Sequence, residues 1–138
     1  MLRSSSTTQA IVSLSSGESE FYSAVKGCSV AMGFRSLMKD MGMDFLKPIL
    51  LKVDSTACLG MAGRKGAGRV RHIHTPCLWL QQCVASRVVE LQKVLGTENP
   101  ADLGTKALSN DIICEIVKQL GFVSLEGRSR LALRAAVP

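Results

Sequence analysis

Apolar residues change their spacing several times along this chain, and each change marks an element. Ala10-Ile11-Val12-Ser13-Leu14 reads as a brief strand. Ser15-Ser16-Gly17-Glu18 then supplies a serine N-cap with a carboxylate in the first turn. Phe21, Ala24, Val25, Cys28, Ala31 and Met32 recur at helical spacing, which predicts a helix running to about Met41, with Gly42 as its stop. After Pro48 the unbroken run Ile49-Leu50-Leu51, followed by Val53, predicts a strand over 49–54 buried on both faces and ending in Asp54. A short helix over 55–62 follows directly.

The second half repeats the alternation. Residues 63–72, with three Gly and four Arg or Lys, interrupt the pattern as a basic loop. Thr75-Pro76 offers an N-cap and first helical position for a helix over 76–86 carrying Leu78, Trp79 and Val84. Residues 87–95 alternate loosely as a strand. Asn99-Pro100 opens another helix, with Asp102 at a position suited to capping. A helix over 110–120 buries Ile112, Ile113, Ile116, Val117 and Leu120 and stops at Gly121. Residues 123–138 are weakly patterned and basic, and read as a disordered tail. The order β-α-β-α-loop-α-β-α predicts an α/β domain with a small sheet.

Composition narrows the function classes. At 138 residues the chain has the size of one domain, and with only 4% aromatics its core must be aliphatic, with Ala, Met and Cys. A formal charge of +6 favours polyanionic partners over acidic ones. Five irregularly spaced cysteines suit an intracellular protein of cytoplasm or nucleus, with Cys28, Cys58 and Cys114 as reduced core residues. No apolar run reaches a membrane span, and the N-terminus lacks the apolar region of a signal peptide.

The chemistry-bearing residues fall at element ends. Asp54 closes a strand, at the sheet edge where ligands of open α/β proteins sit. Glu18 and Glu20 flank the apolar stripe of the first helix on opposite sides, and spacing alone does not choose between them. Asp102 begins a late helix. Acids converging on one edge would suit Mg²⁺ or Mn²⁺, since hard cations take oxygen ligands and two of them can clamp a phosphodiester. Arg64, Lys65, Arg69 and Arg71, with His72 beside them, suit phosphate contacts in the Gly-rich loop, although the ending of a nucleotide phosphate loop is missing. His72, His74, Cys77 and Cys83 match no usual zinc spacing.

Four segments together carry a resemblance. Ser13–Tyr22 is similar to the SS-x-E-A-E-Y segment of the ribonuclease H domain that ends copia-type retrotransposon Pol polyproteins. Leu51–Ser55 resembles that family's strand-Asp element, Arg71-His72-Ile73 its K/R-H-I, and Asn99–Lys106 its P-A-D-x-x-T-K. They stand in the family's order and cover roughly residues 4–122. The resemblance implies a ribonuclease H-like fold, an RNA–DNA hybrid as substrate, and upstream reverse transcriptase and integrase modules as partners. It also implies catalytic and metal-ligating roles for Glu20, Asp54 and Asp102, with Glu18 left as a surface or capping acid.

The sequence also departs from the family. Residues 1–17 contain no Asp or Glu, so the family's first catalytic aspartate has no counterpart. The resemblance then implies an incomplete fold with its first two strands missing, and a small mixed sheet flanked by helices. Strands 49–54 and 88–94 should pair in parallel, with 10–14 frayed or re-paired. Cleavage by this fragment is not expected, and the alternative is a non-catalytic nucleic-acid-binding or assembly remnant.

Overall fold

Helix α1, Ser16–Asp40, begins and ends where local chemistry dictates. In the computed structural model, which describes Ser5 and residues 7–122, Ser15 is extended and its hydroxyl accepts the Glu18 N–H at 3.2 Å. At the other end Gly42 takes φ +80, its N–H reaching the Lys39 carbonyl while that of Met43 reaches Met38. This pair of bonds satisfies carbonyls that the last turn leaves open, and only glycine enters that φ without strain.

Strand β1 (Ile49–Val53) and strand β2 (Val89–Lys93) pair in parallel, from Ile49 opposite Val89 to Val53 opposite Lys93. A parallel pair needs a crossover, provided here by α2 (Thr56–Ala62), the basic loop, a 3₁₀ turn over Thr75–Leu78 and α3 (Trp79–Ala85). The core lies between α1 and this crossover. Phe21, Ala24 and Cys28 of α1 meet Val53, Cys58, Met61, Ile73, Cys77, Leu80, Cys83 and Val89. Two close approaches set the placement of α1. A Cβ on Gly17 would lie 2.7 Å from that of Ala57 on α2, and one on Gly27 would lie 3.4 Å from Leu51 on β1.

Ser5–Asn99 form one compact unit, and the described residues from Pro100 onward belong to a second. That second unit holds a 3₁₀ segment, Pro100–Gly104, and helix α4, Asn110–Gln119, which ends on Gly121 at φ +71.

The structure is therefore α/β with a two-stranded parallel sheet, and it corrects several expectations. Residues 10–14 form no strand, so the sheet is not mixed. Val12 and Leu14 are exposed, and the Leu14 N–H is taken by the Glu18 carboxylate at 3.0 Å rather than by a neighbouring strand. Thr75 is not an N-cap, because the turn before α3 starts one residue earlier, on His74. Cys114 is exposed, and of the apolar residues on α4 only Ile116 is buried. The tail over 123–138 lies outside the described residues. Among those residues, no helix is long and apolar enough to cross a membrane.

Leu80 is completely buried, whereas Leu46 is 90% exposed. Leu80→Ala should cost about 2–5 kcal/mol of unfolding free energy in urea titrations, through lost burial and an unfilled cavity. Leu46→Ala should stay within about 0.5 kcal/mol of the unaltered chain.

Candidate functional site

Asp54 follows β1 directly, half-buried, and Ser55 after it caps α2 by accepting the Cys58 N–H at 3.2 Å. Glu20 is exposed on the first turns of α1, the helix that Gly17 brings against α2. The two acids share a neighbour. The thiol of Cys58, completely buried, is pushed up to about 11, first by burial and then by the negative charges of Glu20 and Asp54. Cys58 itself lies on α2, just after the strand that Asp54 follows.

Of the two expectations for Glu18, a surface or a capping acid, the surface one is overturned: its carboxylate turns inward and accepts the Leu14 N–H just before the helix. It is 1% exposed, and three donors serve its carboxylate. The Tyr22 hydroxyl donates to Oε1 at 2.8 Å, while the Leu14 N–H and His72 Nε2 reach Oε2 at 3.0 and 2.8 Å. With a carboxylate accepting, Nε2 is the ring nitrogen that carries the hydrogen. A buried carboxylate is tolerable only when hydrogen-bonded in this way. Its carboxyl sits below the ordinary glutamate range chiefly because of the bond from His72, with burial opposing and the Leu14 N–H and Tyr22 hydroxyl assisting.

Asp102 belongs to the second unit, where it is buried in the 3₁₀ segment. Lys106 places its ammonium 2.8 Å from Oδ2, and the N–H groups of Thr105 and Lys106 donate to the Asp102 carbonyl. The carboxylate is engaged by a lysine four residues on rather than capping a helix. A two-metal centre needs several oxygen ligands gathered together. Among the described residues no three His, Cys, Asp or Glu side chains form a group that could hold a metal ion.

The basic residues are better organised than a solvated loop requires. Arg64 turns inward, its Nη2 donating to the Ala67 carbonyl at 2.7 Å. Lys65, Arg69 and Arg71 are exposed, as is His72, although one edge of its ring is held by Glu18. Ile73 is buried immediately after. The loop thus closes onto the core at the Arg71-His72-Ile73 segment, leaving three cations outside.

Two further residues shape this region, one legible in the sequence and one not. Glu18 was signalled by Ser15-x-x-Glu18, the spacing of a capping box, in which the third helical acid turns back on the residues before the helix. Gln81 is buried on α3 and bonds the loop, whereas the adjacent Gln82 is exposed. No local pattern separates two neighbouring glutamines.

The Glu18 cluster predicts an acid-side loss of stability. The folded state binds a proton at Glu18 less readily than the unfolded chain. The contribution is therefore complete above the ordinary carboxylate range and lost as pH falls through the lowered folded value. Melting temperature should fall between about pH 6 and about pH 3, and Glu18→Gln should flatten that fall. Equal slopes for the two proteins would refute the assignment.

Compared with protein-family models, with curated proteins and with solved structures, the chain has no match in any of the three.

Proposed function

We propose that this chain is the ribonuclease H-type part of a copia-type retrotransposon Pol polyprotein, and that its 138 residues by themselves bind RNA–DNA hybrid without cutting it. The observation that carries this reading is the placing of Asp54 where the parallel strand β1 runs into α2, against which Gly17 brings the start of α1 with Glu20 on it. The four sequence segments of the resemblance support it. In the proposed setting the partners are the reverse transcriptase and integrase modules of the same polyprotein, inside the cell.

Binding is assigned to Lys65, Arg69 and Arg71, which stand exposed on the loop between α2 and α3. Their contribution is electrostatic and reads backbone phosphate rather than bases. Cutting would need further oxygen ligands beside Glu20 and Asp54. Residues 1–17 supply no acid, and Asp102 is already paired with Lys106. A non-catalytic binding or assembly remnant is the second reading, favoured by that same pairing.

Incubation of a labelled RNA–DNA hybrid with the chain and Mg²⁺ or Mn²⁺ should release no more product than Asp54→Asn does. Robust cleavage abolished by that substitution would overturn the claim of inactivity. Binding should weaken as salt rises. Replacing Lys65, Arg69 and Arg71 together by Gln should reduce the slope of log affinity against log salt by about 2.7, at about 0.9 per phosphate contact. Equal affinity for hybrid and for duplex DNA would favour the second reading.

A further inference from the structure

The loop over 63–72 is held by hydrogen bonds that do not involve its exposed cations Lys65, Arg69 and Arg71. Gln81, buried on α3, accepts the Gly66 N–H on Oε1 at 2.8 Å and donates from Nε2 to the Gly66 carbonyl at 3.0 Å. The same amide nitrogen donates to the Met61 carbonyl at 2.8 Å, on the last turn of α2. One side chain therefore grips both polar groups of Gly66 and joins the loop to the helices before and after it. Gly66 itself takes φ +77 and Gly68 φ +58, conformations that disfavour a side chain.

The rest of the loop folds onto this grip. A Cβ on Gly68 would lie 2.7 Å from Arg64 Cζ, so the guanidinium rests against the Gly68 backbone while Nη2 holds the Ala67 carbonyl. Ala67 also accepts the Val70 N–H at 3.1 Å, and Val70 accepts that of Ile73 at 3.2 Å. Ala67, Val70 and Ile73 all belong to the hydrophobic core or pack against it. What remains outside is Lys65, Arg69 and Arg71, carried on a backbone tied at one end by Gln81 and at the other by His72 on Glu18.

From this we infer that Gln81 is a positioning residue for polyanion binding: it holds the loop in its bound shape, so that the three exposed cations meet successive phosphates without first having to be ordered. The inference rests on the proposed nucleic-acid reading for its partner. A preordered loop spares the ordering cost that a flexible one meets on association, and that saving does not depend on salt. Charge removal acts differently, because it changes the number of counterions released. Positioning and charge can therefore be told apart in one titration.

The experiment compares the unaltered 138-residue chain with Gln81→Met and Gly66→Ala, the latter adding a Cβ at a left-handed position with open space around it. Affinity for a labelled RNA–DNA hybrid is measured over a range of salt, alongside trypsin cleavage after Arg64, Lys65, Arg69 and Arg71. Both variants should bind about tenfold more weakly at every salt concentration, on lines parallel to that of the unaltered chain. Both should be cut within the loop several times faster. Gly66 lies outside the core, and thermal melting of both variants followed by circular dichroism separates loss of folding from loss of loop order. Unchanged affinity in both, or a loop no more sensitive to trypsin, would overturn the inference. If the unaltered chain binds no hybrid at all, the proposed function fails and takes this partner with it. The trypsin rates would then still decide whether Gln81 orders the loop.

Discussion

A two-stranded parallel sheet is too small to hold itself together, and this unit depends on α1 covering it. Coverage requires close contact, which the glycines on α1 permit. Gly17 lets the helix start touch Ala57, and Gly27 leaves room for Leu51. Phe21, Ala24 and Cys28 then reach the sheet and crossover side chains. The same contact decides where Glu20 lies, one turn from Gly17 on the helix start that meets α2. Packing and site geometry have one cause.

The core is short of aromatic residues and relies on small and sulfur-containing ones. Cys28, Cys58, Cys77 and Cys83 are all buried as free thiols. The Cys28 thiol is pushed up to about 11 by burial and by the neighbouring Cys83, which leaves it little thiolate character near neutral pH. Buried polar side chains then do what large apolar ones do elsewhere: Glu18 gathers Leu14, Tyr22 and His72, and Gln81 gathers Met61 and Gly66. Each is satisfied, so each specifies one arrangement of the segments around it. Between them they turn a Gly-rich basic stretch into a defined surface.

Much of the α/β order was legible because it rests on local rules. The serine cap and glycine stop of α1 are short-range hydrogen-bond and steric effects, and the parallel pairing follows from two apolar runs separated by helical crossover residues. The brief strand over 10–14 was misread because an apolar cluster does not say whether a neighbouring strand will accept its backbone. Here the Leu14 N–H found a carboxylate four residues on. The apolar face of α4 was overvalued for a similar reason, since periodicity shows a stripe without showing what covers it.

The sequence by itself determined which residues could cap, turn, cross over and carry charge, because those properties belong to single residues and their near neighbours. It set Asp54 at the end of a strand and the cations in a glycine-rich loop. Tertiary structure decided how deeply the inward-turning acid is buried. Glu18 and Glu20 stand two positions apart with the same chemistry; local bonds from Leu14 and Tyr22 turn Glu18 back, and the arrival of His72, more than fifty residues later, completes its burial while Glu20 stays exposed. It likewise chose Gln81 over Gln82, because a hydrogen bond to Gly66 depends on where two distant backbones meet, and no local pattern encodes that distance.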